Sequence, residues 1–300
     1  MKILITGSNG LLGQKIVAQC LKNGHDFLAT SSGENRNSAC PESIYVSMDI
    51  TDESRVNEIF ESHQPTAVIH TAAMTNVDAC ELDEKSCRKV NVEGTKFLFE
   101  ASKRINAHFQ LVSTDFIFDG KDGPYSEEDK PNPVSIYGQS KLDAESLLTS
   151  SSSSNWSISR TIIVFGTGEG LSRSNIILWA REALHKGGPL KIVNDQFRSP
   201  TWADDLAWGC LEIVRRKASG IFHLSGPKVY SIIELVKEVA KYYGLSTENI
   251  SEVSSDTLAQ PAKRPPITGF DLTKSKKILG YNPMSLSESL SRLEKELNQG

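Results

Sequence analysis

Apolar stretches of strand length recur along the first half of the chain, and each is followed by a segment whose apolar residues repeat with helical period. Strands are predicted over Lys2–Thr6, Phe27–Ser31, Ser43–Val46, Ala67–Thr71, Phe109–Ser113 and Ser157–Val164. Helices are predicted over Leu11–Asn23, Glu53–His63, Cys87–Ile105 and Ser140–Ser150. Strand and helix in alternation favour a parallel sheet, and right-handed crossovers then make a doubly wound α/β unit the expected architecture. After Phe165-Gly166 the alternation weakens. Ser174–His185 reads as a helix, Pro189–Val193 as a short strand, Gly220–Ser225 as a strand, and Ile232–Tyr243 and Ser285–Leu297 as amphipathic helices. The predicted division is a larger unit of residues 1–166 with about 202–226, and a smaller C-terminal lobe of about 167–201 and 227–300. The run Ser150–Ser154 is too short for a linker and reads as an exposed loop.

The first strand runs into Thr6-Gly7-Ser8-Asn9-Gly10-Leu11-Leu12-Gly13. A strand, a glycine-rich turn and a helix bring backbone N–H groups up to a pyrophosphate, so this stretch predicts dinucleotide binding in a Rossmann unit. Gly7, Asn9, Gly10, Leu11, Leu12 and Gly13 are the expected contacts. The spacing is G-x-x-G-x-x-G, and its position directly after β-type sequence strengthens it. An enzyme that prefers NAD should carry a carboxylate at the end of the second strand. Here Ser31 and Ser32 stand there and Arg36 follows, which suits a 2′-phosphate and predicts NADPH, with NADH as the alternative. By position, Asp49 and Ile50 are expected near the adenine, and Thr71, Ala72 and Ala73 where the backbone passes close to the cofactor. His70 reads as a packed core residue, because no second metal-type side chain lies at ligand spacing, and no metal is expected.

Further along, Ser113-Thr114-Asp115 is followed by Tyr137-Gly138-Gln139-Ser140-Lys141. Tyr137 and Lys141 are four residues apart, on one face of a helix. Free tyrosine titrates near about 10, and a neighbouring ammonium is expected to lower that value, making Tyr137 a candidate general acid.

Composition narrows the partners. A formal charge of −4 gives no broad basic surface, which argues against nucleic acid and for a small polar metabolite. The five cysteines show no C-x-x-C pair and read as reduced structural thiols. No signal-like stretch precedes the glycine motif and no uncharged run is long enough for a bilayer, so a soluble, cytoplasmic protein without membrane partners is expected, as monomer or homodimer.

With the glycine turn, Ser113–Asp115 and Tyr137–Lys141 together, the chain resembles the extended short-chain dehydrogenase/reductases. Ala72-Ala73-Met74-Thr75-Asn76-Val77-Asp78, Ser113-Thr114-Asp115-Phe116-Ile117-Phe118-Asp119-Gly120 and Asp195-Gln196-Phe197-Arg198-Ser199-Pro200-Thr201 are similar to the dTDP-4-dehydrorhamnose reductase family, over nearly the whole chain. The resemblance implies a Thr114, Tyr137, Lys141 triad, Asn91 in support, a C-terminal substrate lobe, and reduction of the C4 ketone of a nucleotide-linked 4-keto-6-deoxy sugar. It places Thr75, Asn76, Val77, Thr114 and Asp115 near the sugar. For the diphosphate, Arg198, Lys263 and Arg264 are the candidate cations. Ile163 stands where many members carry a tryptophan that approaches the sugar. Two other readings share this fold: a nucleotide-sugar epimerase or dehydratase, which returns its hydride within one turnover, and a non-catalytic cofactor-binding subunit resembling the β subunit of methionine adenosyltransferase.

Overall fold

The computed structural model describes residues 1–298. Seven strands form one parallel sheet: β1 (Lys2–Thr6), β2 (Asp26–Ser31), β3 (Tyr45–Ser47), β4 (Ala67–His70), β5 (His108–Thr114), β6 (Trp156–Thr161) and β7 (Gly220–His223). Their order is β7-β6-β5-β4-β1-β2-β3, so the chain reverses direction across the sheet between β1 and β4. That reversal opens a crevice at the carboxyl ends of the strands, where open α/β sheets bind ligands. The expected doubly wound architecture is what the chain adopts.

The side-chain alternation of β1 shows why the sheet is covered twice. Ile3 and Ile5 point into one core, with Ile16, Val17 and Cys20 of α1 (Leu11–Lys22). Leu4 points into the other, with Val56, Ile59 and Phe60 of α2 (Glu53–His63) and with Leu98 and Phe99 of α3 (Thr95–Arg104). All three strand residues are fully buried. Each contributes about 1.5–3 kcal/mol, which is why strands buried on both faces read as continuous apolar runs.

Two further helices complete the frame of the site. α4 (Ile136–Thr149) follows β5, and α5 (Ile176–Lys186) follows β6. Around Trp202 a third core gathers Ile177, Ala180 and Leu184 of α5, Val236 and Val239 of α6 (Ile232–Tyr243), and Leu290 and Leu293 of α7 (Leu286–Leu297). The capping boxes Ser231/Glu234 and Ser285/Glu288 open the last two helices.

Several predicted boundaries move. The helix expected from Ser140 begins at Ile136, because the Ser135 hydroxyl accepts from the Gly138 N–H and caps it. Tyr137 therefore lies in its first turn. The span Ser157–Val164 divides: β6 ends at Thr161, Ile163 takes a left-handed φ of 34°, and Val164–Phe165 pair with Thr201–Trp202 instead. The single helix expected over Cys87–Ile105 contains a widened π-helical turn at Lys89–Gly94, a distortion often found beside functional sites.

Candidate active site

The carboxyl ends of β1, β4 and β5 and the start of α1 border a cleft of about 930 Å³, within the range of small-molecule sites. At one end the glycine turn is compressed against β4. Gly7 has φ 71°, and a Cβ on it would stand 2.7 Å from the Ala72 nitrogen. A Cβ on Gly13 would stand 2.2 Å from the Gly7 carbonyl oxygen. Gly10 caps α1 with no side-chain hydrogen bond, so the first N–H groups of the helix lack intrahelical acceptors and, with Gly10, Leu11 and Leu12 lining the cleft, suit an anion. Gly13→Ala is expected to weaken binding of a reduced nicotinamide dinucleotide at least about tenfold, read by fluorescence titration.

Ser31, Ser32, Asp49, Ile50, Thr71, Ala72 and Ala73 also line the cleft, as do Thr75 and Val77. At its inner end are Thr114, Asp115, Tyr137 and Lys141. Tyr137 packs edge-on against Phe116, ring centroids 5.7 Å apart, and Thr114 borders the cleft with it. The Ser113 hydroxyl, on the cleft wall, is buried without a partner, a polar atom that a ligand could satisfy. The glycine cradle, the open helix start and this orphaned hydroxyl fit a dinucleotide.

The electrostatics correct one expectation. The Tyr137 phenol is not acidified, the nearby Lys141 notwithstanding. Burial dominates and pushes the phenol well above its ordinary value, with the Thr114 hydroxyl opposing and the Asp115 charge reinforcing. The Lys141 ammonium donates instead to the Val112 carbonyl at 2.8 Å, and burial lowers it from 10.5 to about 8, against the pull of Glu145. Below that value both folded and unfolded chains hold the proton, and its burial costs stability. Between about 8 and 10.5 only the unfolded chain still holds it, so stability rises with pH through that window. Lys141→Met is expected to flatten this rise in urea unfolding measured across pH.

The remaining expected residues lie behind the cleft. Asn9 accepts from the Arg36 N–H at 2.9 Å and donates to the Glu34 carbonyl at 2.8 Å, bracing the loop after β2. Arg36 donates to the Gly170 carbonyl at 3.1 Å, away from the cleft lining. Asn76 caps the helix Val77–Leu82. Asn91 ties the Met74 backbone to Ser140 of α4, with bonds of 2.8, 3.0 and 2.9 Å. Arg198 is buried among backbone carbonyls, and Arg264 pairs with Asp78 at 2.7 Å. Neither cation reaches the cleft wall. The cations that do, besides Lys141, are Lys89 and Arg173, the latter donating to the Thr75 hydroxyl at 2.8 Å. Sequence reading missed both, although Arg173 falls in the loop after β6, at the carboxyl end of the sheet where ligands bind. Ile163 lines the cleft as well.

His70 is a core residue, as expected. Its ring nitrogens meet the hydroxyls of Thr6 at 2.7 Å and Thr95 at 3.0 Å, and burial lowers it to about 3, so it is neutral. All five cysteines are buried free thiols. Among the described residues no helix is long and apolar enough to cross a membrane.

Comparison with known proteins agrees with this geometry. The model of the RmlD substrate binding domain family matches residues 1–299. The dTDP-4-dehydrorhamnose reductase of Aggregatibacter actinomycetemcomitans is 32% identical over 97% of this chain and 98% of its own length. The methionine adenosyltransferase 2 subunit beta of Danio rerio is 28% identical over 88% of this chain and 80% of its own. Among solved structures, the dTDP-4-dehydrorhamnose reductase of Bacillus anthracis, in complex with NADP, superposes with a TM-score of 0.85 at 26% identity, covering 98% of this chain and 99% of that one. With a family model matched from end to end and a relative at this identity over almost all of both chains, the protein belongs to the dTDP-4-dehydrorhamnose reductase family of extended short-chain dehydrogenase/reductase oxidoreductases.

Proposed function

We propose that the protein reduces the C4 ketone of a nucleotide-linked 4-keto-6-deoxy sugar with NADPH, dTDP-4-dehydrorhamnose being the substrate that its family favours. The observation that carries this reading is that Thr114, Tyr137 and Lys141 border the same cleft as the open, glycine-rich start of α1. Gly7 to Gly13 would hold the pyrophosphate, Asp49 and Ile50 the adenine end, and Lys141 the nicotinamide ribose. Ser31 and Ser32 on the cleft wall, and the NADP held by the Bacillus anthracis relative, support NADPH over NADH. When bound, the reduced nicotinamide supplies the hydride.

Tyr137 supplies the proton. The raised phenol value keeps that proton in place at neutral pH, which is the state a reductase needs. As negative charge develops on the carbonyl oxygen, the phenolic O–H bond breaks and the new hydroxyl of the sugar forms. Phe116 and the burial of the phenol exclude water from that exchange. We assign the segments 167–201 and 227–300 to the lobe that binds the sugar, and the diphosphate to Lys89 and Arg173. Arg173→Ala is expected to raise KM for the nucleotide sugar roughly tenfold, the loss of one charge-assisted contact, with kcat little changed.

A panel of dTDP-, GDP- and UDP-linked 4-keto sugars, each with NADPH and NADH, tests the reading by loss of the reduced nicotinamide absorbance. Net consumption is the expected result. Binding of NADPH without consumption of it on any sugar would overturn the reading in favour of a non-catalytic, cofactor-binding subunit; the relative from Danio rerio is named as a subunit of methionine adenosyltransferase.

A further inference from the structure

We propose that Asp115 is a positioning residue: it holds Thr114 against Tyr137, and Arg198 and Thr268 hold Asp115 in turn. This rests on the reductase reading above and replaces the expected substrate contacts of Asp115 and Arg198 with an internal one.

Both carboxylate oxygens of Asp115 and both terminal nitrogens of Arg198 have partners within the protein. One carboxylate oxygen of Asp115 accepts from the Thr114 hydroxyl at 3.1 Å. The other accepts from the Thr268 hydroxyl and faces the Arg198 Nε at 3.6 Å. Arg198 is in turn clamped by carbonyls: Nη1 donates to Phe197 at 2.7 Å and Pro266 at 3.0 Å, and Nη2 to Pro265 at 2.5 Å. The guanidinium also faces the Phe116 ring, 5.8 Å from its centroid. The side chains of Arg198 and Asp115 are only 2% and 3% exposed; Arg198 does not reach the cleft, and Asp115, although it borders the cleft, has its carboxylate engaged by these internal partners.

The arrangement sets the polarity of Thr114. A hydroxyl has one hydrogen and two acceptor positions. The Thr114 oxygen accepts from the Phe116 N–H at 3.2 Å, and its hydrogen goes to Asp115. While Asp115 holds that hydrogen, Tyr137 is the proton donor of the pair; turned to the phenol instead, the Thr114 hydroxyl would lower the phenol's value. The negative charge of Asp115 favours the protonated phenol, in the same direction. Because Thr268 and the carbonyls of Pro265 and Pro266 belong to the C-terminal segment, a loop from that segment fixes the hydroxyl beside the acid. A buried ion pair is costly to build, and an unmade contact near the reacting atoms would cost rate through misplacement.

The test is a double-mutant cycle on the full chain. Asp115→Asn is expected to lower kcat about 10–100-fold, with KM for the 4-keto sugar and Kd for NADPH by fluorescence unchanged. In a Thr114→Val background the same substitution should cost nothing more. Thr268→Val, which keeps the ion pair, should give a smaller loss of kcat in the same direction while the thermal midpoint of the chain stays close to that of the wild type. A loss that appears in KM and persists in Thr114→Val would overturn the assignment, since it marks direct contact with substrate. So would an Asp115→Asn enzyme with wild-type kcat. A wild-type chain that consumes no NADPH with any sugar would remove the reductase reading itself, and this assignment with it.

Discussion

Tyr137→Phe is expected to lower kcat about 10²–10⁴-fold, the range supplied by a positioned general acid, while leaving the fold and the affinity for NADPH almost unchanged. The substitution removes one oxygen. The ring, its edge contact with Phe116 and its place beside Cys80 and Cys87 all remain, so no cavity forms. A drop confined to kcat would identify a group acting in the transition state. Loss of NADPH binding, or a kcat equal to that of the wild type, would contradict the role.

Glu145→Ala should produce the largest loss of stability, about 3–5 kcal/mol in urea unfolding. Arg160 reaches Glu145 from β6 through two bonds, of 3.1 and 2.8 Å, and both side chains are only 3% exposed. The Arg160 Nη1 already lacks a partner. Without the carboxylate a buried guanidinium is left with the face of Phe118, 5.4 Å away, as its principal neighbour. A mild effect, below about 1 kcal/mol as for an exposed pair, would show that the pair is not buried as described. Glu145 also draws Lys141 upward, so the milder Glu145→Gln should move the titration of Lys141 further down.

The parts of this protein legible in its sequence are those where one physical demand decides the residue. Ile3, Leu4 and Ile5 of β1 and Ala67, Val68 and Ile69 of β4 are buried on both faces of the sheet and are apolar throughout. Gly7 and Gly13 face backbone at distances that leave no room for a Cβ. What escaped sequence reading depends on partners far along the chain. The start of α4 is set by Ser135 and by the close approach of Gly138 to the Phe116 carbonyl, 2.1 Å from where a Cβ would stand. β6 stops where Val164–Phe165 find Thr201–Trp202. Lys141 stands four residues from Tyr137, as the spacing implies, yet its charge is committed to Val112, which no spacing reveals. Arg198 and Arg173 illustrate the same limit for substrate cations. Both are arginines in stretches of sequence without strong periodicity, and only burial separates the one locked beneath Asp115 from the one open to the cleft.

In the proposed reaction hydride passes to a sugar ketone that Tyr137 protonates. The most direct measurement follows deuterium from reduced nicotinamide labelled at C4 into the product of a dTDP-linked 4-keto sugar. One deuterium at C4 of the sugar, with one cofactor oxidised per turnover and transfer nearly abolished in Tyr137→Phe, is the predicted result. A product without deuterium, or label that reaches C4 equally fast in Tyr137→Phe, would contradict it.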